Sequence, residues 1–540
     1  MRLTPKPSLS PRTPLLPPSP SLNAGAGTDT VQGCSQGPTF YVSPGGNDDN
    51  TGLAANVAWQ TLDRVSRQAY PTGSTIQFEA GQTFAGSICL SGFQGSPLAP
   101  LTLTSGPGAP AILRAPMSAS WAIALNDCQG IVIRDLKISG PGGTEPPNGI
   151  AVGCSTTAGP SLKYYRFSGL TISGFDNGIV LYGGLSDVQI TSCSLYDLIA
   201  NGIFAYGWGP ASDCSNKNFL IANNNVHHVV GRDGDTAKGN GILLAQMDGA
   251  RVSGNLVHDC GSRGEASVGI WAYDANRVCI EHNEVYGQET LGEDGNGFDL
   301  DGGVTNSTLQ YNYSHDNAGA GYLIWQYAGA SAHFNNLVRY NVSINDSRKG
   351  SYYGAVTVGG EVLSRVRIHN NILVSTNTAG AGMSALAIWN REDKISDLIA
   401  ANNLLLSHGG NSFLVDLHRS TQAVRIVGNA YFDPVRAPRF WANDICYNSL
   451  ASYRAGAQVE LLGAEACGLE LDPHIMGQLG SHLPKDYRLR SGSLLREAAL
   501  DLNHLFGLTL GDQDFFGNLL PNSGPGDIGA HQTDIGQMPA

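Results

Sequence analysis

Long apolar runs are missing from this chain. No stretch approaches the roughly 20 consecutive apolar residues that a bilayer-spanning helix needs, so neither a membrane span nor a membrane partner is expected. Charge is also scarce: charged residues are 14% of the chain against 41% hydrophobic, which excludes a charge-rich disordered protein and a coiled coil. Basic residues are the scarcer sign, 32 Lys+Arg against 45 Asp+Glu, for a net charge of −13. Polyphosphate affinity comes mainly from basic residues, so no nucleic-acid partner is expected, and a neutral polar polymer fits better. Ten cysteines in 540 residues are too sparse for a disulfide scaffold, and the absence of any CxxC leaves a zinc ribbon without support. Cys446 and Cys467 flank a short C-terminal segment and are candidates to pair; Cys34 with Cys89 is a weaker candidate. The remaining thiols fall in or beside apolar runs and read as buried.

Glycine is what the chain has in excess: 69 of 540 residues, about 13% against roughly 7% in average proteins. Residues 1–38 stand apart as a Pro/Ser-rich leader that cannot bury enough apolar surface to order itself, and it lacks the apolar core of a secretory signal. From Tyr41 the texture changes. FYVSPGGNDDNTG reads as a strand and turn, and residues 58–69 place Trp59, Leu62, Val65 and Ala69 at helical spacing. One helix ahead of many strands suggests a plug over an open strand edge.

Two series then recur. A glycine opens an alternating strand at Gly178, Gly202, Gly241, Gly269, Gly297 and Gly321. An asparagine opens another strand at Asn224, Asn255, Asn283, Asn312, Asn341, Asn371, Asn403 and Asn429. A period near 28 with short strands and no helix predicts a parallel β-helix, each repeat one coil that buries its inner face only by stacking on its neighbours. The asparagines are expected to bond their counterparts above and below, a structural ladder rather than a catalytic set.

FYVSPGGNDDNTG, the capping helix, GSTIQFEAGQTF and GNGFDLDGGVTNSTLQYNYSHDNAGAGYLIWQY resemble the right-handed parallel β-helix proteins of polysaccharide metabolism. That superfamily comprises pectate-lyase-like enzymes, glycoside hydrolases and uronate epimerases. The resemblance covers roughly residues 39–435, which would form the catalytic β-helix, with 436–540 a closing segment packed on it. It implies a polysaccharide or oligosaccharide substrate, of xylan, fucose or pectic type for the hydrolases. It also implies a secreted, cell-surface or periplasmic location, and a monomer is expected. One such fold hosts many chemistries.

Alternation sorts the glycine strands. The first and third residues after each glycine are apolar and point inward; the second and fourth point out. The outward set carries Tyr182, Tyr206, Trp271, Tyr273 and Trp325, with Trp389 a further candidate, and Asp299 and Asp301 in its middle. Stacked coils place these rings along one groove, where sugars would bind, unless long turns cover them as a second core. Asp299 and Asp301 lie two apart on one face, their Cα atoms roughly 6.5–7 Å apart, and suit paired-carboxylate hydrolysis. Glu265, Asp274, Asp294 or Glu361 could complete the pair, and Lys238 and His315 could touch substrate from the rim. His315 also follows a ladder asparagine by three residues, as do His227, His258 and Tyr286, which favours a structural stack.

The leading reading is a glycoside hydrolase with no cofactor. The alternative is a calcium-dependent lyase or uronate epimerase, with Asp274, Asp294, Asp299 and Asp301 holding Ca2+ and Lys238, Lys349 or Arg391 as base. A non-catalytic carbohydrate-binding adhesin is the second alternative.

Overall fold

The computed structural model describes residues 37–155, 161–208, 216–235, 238–350, 353–376, 383–408, 412–418, 423–521 and 525–533. The expected leader lies almost wholly outside them. The chain winds into a parallel β-solenoid of about 12 turns, as the repeat predicts. Each coil contributes a strand to three faces in succession. The glycine strands form the first face, for example Asn177–Tyr182, Asn201–Tyr206 and Tyr322–Gln326. The second face holds strands such as Leu185–Thr191, and the third holds short strands such as Leu256–His258. Asn240–Ser253 and Ala266–Glu281 run through the first face and the second without a break, bending at Gln246 (φ 45°) and Asp274 (φ 44°).

The alternation is realised as residues stack in register: Ile179, Ile203, Ile242, Ile270 and Phe298 form one continuous inward column, all fully buried. At the corner between the second and third faces, each ladder asparagine follows a residue at positive φ, from Asn223 (56°) to Gly428 (69°). That turn leaves backbone groups no strand can satisfy, and the ladder satisfies them. From Asn224 to Asn429 each Nδ2 donates to the Oδ1 of the next asparagine at 2.9–3.1 Å. Glu460 ends the row, accepting from Asn429 Nδ2 at 2.9 Å.

A second ladder was not anticipated. Asn177, Asn201 and Asn240, each just before a series glycine, donate down to Asn148, Asn177 and Asn201 at 2.7–3.0 Å. It tightens the entry to the first face.

The N-terminal plug is shorter than residues 58–69. The helix is Leu62–Arg67, capped by the Thr61 hydroxyl accepting from Arg64 N–H at 3.1 Å. Trp59 is not on it: it bridges Val42 and stacks on Phe40 at 4.8 Å, and the chain is extended by Gln68. At the other end the glycine face continues past 435 to Phe440–Ala442. Helix Leu450–Ala457 closes it, with Tyr453 stacked on Phe440 at 4.6 Å. Cys446 and Cys467 do not pair, because their thiols face different partners: Asn448 Oδ1 at 3.8 Å and Glu460 Oε2 at 3.6 Å. Cys89 is a free thiol, and Cys34 lies outside the described residues.

The segment after 460 runs back along the outside of the third face. Its Tyr487, Leu489, Leu495, Phe515 and Ile528 pack on Tyr313, Val342, Ile372 and Leu404. Apolar side chains that point outward from the later coils are thereby removed from water.

Candidate active site

On the first face the outward residues form two columns. In the first, Phe204, Leu243, Trp271, Asp299, Leu323 and Thr357 are in successive register. In the second, Trp325, Gly359, Trp389 and His418 succeed one another. Gly359 matters because of its neighbours: a Cβ there would lie 2.7 Å from Trp325 Cζ3 and 2.9 Å from Trp389 Cβ. Its absence lets the two indoles meet edge to face across an intervening coil, with centroids 6.4 Å apart.

These indoles line a cavity of about 700 Å3. Its walls come from the two ends of the strands. On the entry side stand Asp294, Lys349 and Tyr353; on the exit side stand Glu361, Glu392 and Lys394. The entry wall is cross-braced. Lys349 Nζ donates to the carbonyls of Thr290 and Gly292 at 2.8 and 2.7 Å, and the Tyr353 hydroxyl donates to Asp294 Oδ1 at 3.1 Å. On the exit wall Lys394 pairs with Glu361 at 2.7 Å and with Glu392 at 3.5 Å.

The floor is less exposed than alternation suggested. Trp271, Tyr273, Trp325, Tyr182, Tyr206 and Asp301 are half-buried, but Leu323 and Leu243 are buried and Asp299 is only 3% exposed. The aromatic side chains pack on one another instead of standing free. Tyr182 and Tyr206 stack at 6.0 Å, Trp208 lies edge-on to both, and the Trp271 indole N–H donates to Asn240 Oδ1 at 3.1 Å. Tyr327 lies over the backbone at Gly302, where a Cβ would come within 2.3 Å of its ring.

Burial decides the chemistry of the acids. Asp299 Oδ1 and Asp301 Oδ1 are shut off from solvent with no hydrogen-bond partner among the described residues. Burial, then the neighbouring Asp301 and Asp294, hold the Asp299 carboxyl well above the usual carboxylate range. Asp301 is pushed up to about 7, chiefly by burial and further by Asp294 and Asp274, with the Gly302 N–H opposing. Asp294 is raised by burial against hydrogen bonds from Tyr353 and Asn296. No Lys or Arg is among the groups that shift these three. Asp274, at the strand bend, adds to the same negative field and, after burial, helps push the Tyr327 phenol up to about 12.

The structure therefore brings Asp294, Asp299, Asp301 and Asp274 into one electrostatic cluster beside the aromatic floor. Glu361 sits on the opposite wall of the neighbouring cavity. Glu265 lies outside the cavity, in the turn whose carbonyl abuts Gly292. Lys238 faces Asp176, several coils toward the N-terminus, where Arg232 also pairs at 3.0 Å. His315 is not in the groove. It is buried on the third face, in a ring stack that runs Tyr196, His227, His258, Tyr286 and His315 at 4.8–5.2 Å, because the residue three after each ladder asparagine points outward there. Nor do the four aspartates converge as a calcium site needs. Among the described residues, the side chains that bring three ligating atoms within 4.8 Å are His315, Asp316 and His482.

Tyr353, Glu392, Lys394, Tyr327 and Trp208 were missed. All lie on turns or strand ends of variable length, where no period marks them.

No family model matches the chain, and no curated protein does. Solved structures do. The GH136 lacto-N-biosidase from Eubacterium ramulus is 18% identical, with a TM-score of 0.50, over 76% of this chain and 68% of its own. The complex of XylC with xylose aligns over 92% of this chain and 98% of that one, at 11% identity and a TM-score of 0.49. Pectate lyase Pel9A covers 93% and 98%, at 13% identity and 0.41. At 18% identity the likeness to the lacto-N-biosidase shows the β-helix fold, and the resemblance drawn from the quoted segments holds at that level.

Proposed function

We propose that the chain is a glycoside hydrolase acting on a polysaccharide or oligosaccharide laid along the first face, outside the cytoplasm. The observation that carries this is the Asp299–Asp301 pair. Two carboxyls two residues apart, shielded from water beside half-buried aromatic rings, are pushed to different proton affinities by burial and by neighbouring carboxylates. Asp299, whose carboxyl burial holds well above the usual carboxylate range, would donate its proton to the leaving glycosidic oxygen. Asp301, poised near 7, would act as base or nucleophile. Trp271, Tyr273 and Trp325 offer ring faces to the C–H faces of the sugars. Neutral sugars suit a cluster that no Lys or Arg offsets.

The test is release of reducing ends from a panel of polysaccharides. Asp301→Asn should keep ligand binding and lose about 10²–10⁴-fold in turnover. In the active protein kcat/KM should rise with pH through about 7, as Asp301 ionises. Full activity of Asp301→Asn sinks the proposal.

A lyase or epimerase on a uronate polymer is the second reading. It is favoured by Lys349 in the cavity wall, whose ammonium donates to neutral carbonyls and could meet a substrate carboxylate. An ultraviolet-absorbing unsaturated product would establish the lyase, and conversion of the uronate without chain cleavage the epimerase. Tight binding without product, unchanged in the aspartate variants, would mark an adhesin.

A further inference from the structure

Away from the groove, the stack of rings on the third face ends at His315, where the returning C-terminal segment begins to cover the coils. His315 Nδ1 lies 2.8 Å from Asp316 Oδ2, and His482 Nδ1, from the returning segment, lies 3.1 Å from the same oxygen. We propose that His315, Asp316 and His482 bind a divalent transition-metal ion of the zinc class, which ties the C-terminal segment to the coil 166 residues away in sequence.

Three features carry this. The donor set, two imidazoles and one carboxylate, suits zinc rather than calcium or magnesium, which prefer oxygen alone. The spacing is close to what the ion needs: ligands about 2.0–2.2 Å from a tetrahedral zinc stand roughly 3.3 Å apart, so each nitrogen must part from the shared oxygen by only a few tenths of an ångström, and all three atoms lie within 4.8 Å of one another.

The third feature is the outer support. His315 Nε2 faces Glu284 Oε1 at 3.3 Å, both side chains less than a tenth exposed. A carboxylate behind the imidazole holds the proton on Nε2 and turns the Nδ1 lone pair toward the cluster. The ring is fixed in plane between Tyr286 at 4.8 Å and Tyr313 at 4.4 Å. Asn345 binds the other oxygen of Asp316, and the Tyr313 hydroxyl donates to the His482 carbonyl at 2.5 Å. His482 is 48% exposed and Asp316 30%, so the ion can enter from solvent and water can take the fourth position. His482 also lines a cavity of about 490 Å3 with His408 and Asp486, which gives that water room.

The competing account is a metal-free cluster in which protonated imidazoles share one carboxylate. Titration calorimetry of the chelator-stripped full chain with zinc sulfate separates the two. The expected result is one ion per chain, a rise in Tm with zinc, and a cobalt(II) derivative with the visible spectrum of a tetrahedral site. His482→Ala, at an exposed position, should weaken zinc binding at least 10-fold and abolish the zinc-dependent rise in Tm, while the metal-free chain melts as before. Glu284→Gln should weaken binding about 10–100-fold through His315. No heat of binding in the parent chain, or equal binding in His482→Ala, overturns the proposal. Hydrolytic activity is not among the readouts, so the test stands whatever the groove does.

Discussion

Asp299 occupies a place where a carboxylate is poorly solvated: buried, between Trp271 and Leu323 in register, with one oxygen lacking a partner among the described residues. Such a residue costs the fold stability, and the sign follows from its proton affinity. Its carboxyl is held above the ordinary value of 3.8, so below that value folded and unfolded chains both carry the proton and nothing is lost. As pH rises from there, the unfolded chain ionises while the folded one cannot, and stability falls until the folded carboxyl ionises too. Asp299→Asn should therefore stabilise the protein at neutral pH, by about 1 kcal/mol, with the gain fading near pH 4 as it lowers turnover. Urea denaturation at the two pH values measures it. A variant less stable than the parent at pH 7 would mean that the carboxyl is structural.

At the scale of the strand and turn, the asparagine ladder is the element the sequence shows most clearly. One side chain at one corner repeats through eight coils, and each satisfies groups on the coil below and the coil above. Asn312 Nδ2 donates to the Ile280 carbonyl at 2.8 Å and to Asn341 Oδ1 at 3.1 Å, and its own Oδ1 accepts from both nitrogens of Asn283. Asn312→Ala strands these groups in the interior and should cost about 2–4 kcal/mol, from the desolvation of one or two buried polar groups. Denaturant titration that found less than about 0.5 kcal/mol would show that water replaces the amide. Periodicity made this ladder and the inward columns legible, because stacking imposes the same residue type coil after coil. The ladder before the glycines was also written, as Asn-Gly at 148, 177, 201 and 240, but it breaks at Val268, where the Trp271 indole takes the place of an amide as donor to Asn240. Exposure was not legible. Asp299 and Trp271 alternate outward as expected, yet what covers them comes from turns whose lengths change from coil to coil. The wall residues Tyr353 and Lys394 belong to such turns and obey no period.

Over the whole molecule, the returning C-terminal segment divides the solenoid in two. In the coils up to about residue 290, the third face points polar or half-exposed side chains outward, among them Thr171, Ser194, Asn225 and His227. Each of these coils is held chiefly by the coil above and the coil below. From Tyr313 onward the equivalent positions are Val342, Ile344, Ile372, Val374, Leu404 and Leu406, all buried beneath Tyr487, Leu495, Phe515 and Ile528. One stretch of chain thus spans several coils at once and makes their opening a single event, which raises the free energy of any local unfolding there. Hydrogen exchange followed by mass spectrometry should find the second-face strands Leu363–His369 and Ile395–Ala401 protected far longer than Leu185–Thr191 and Asn216–Ala222, although all four are equally well paired. Asp294 and Asp299, on Glu293–Leu300, and Asp301 just after it lie at the junction, where the more protected block should meet the looser one. Equal protection along the whole solenoid would show that stacking alone sets its stability and that the C-terminal segment only shields apolar surface.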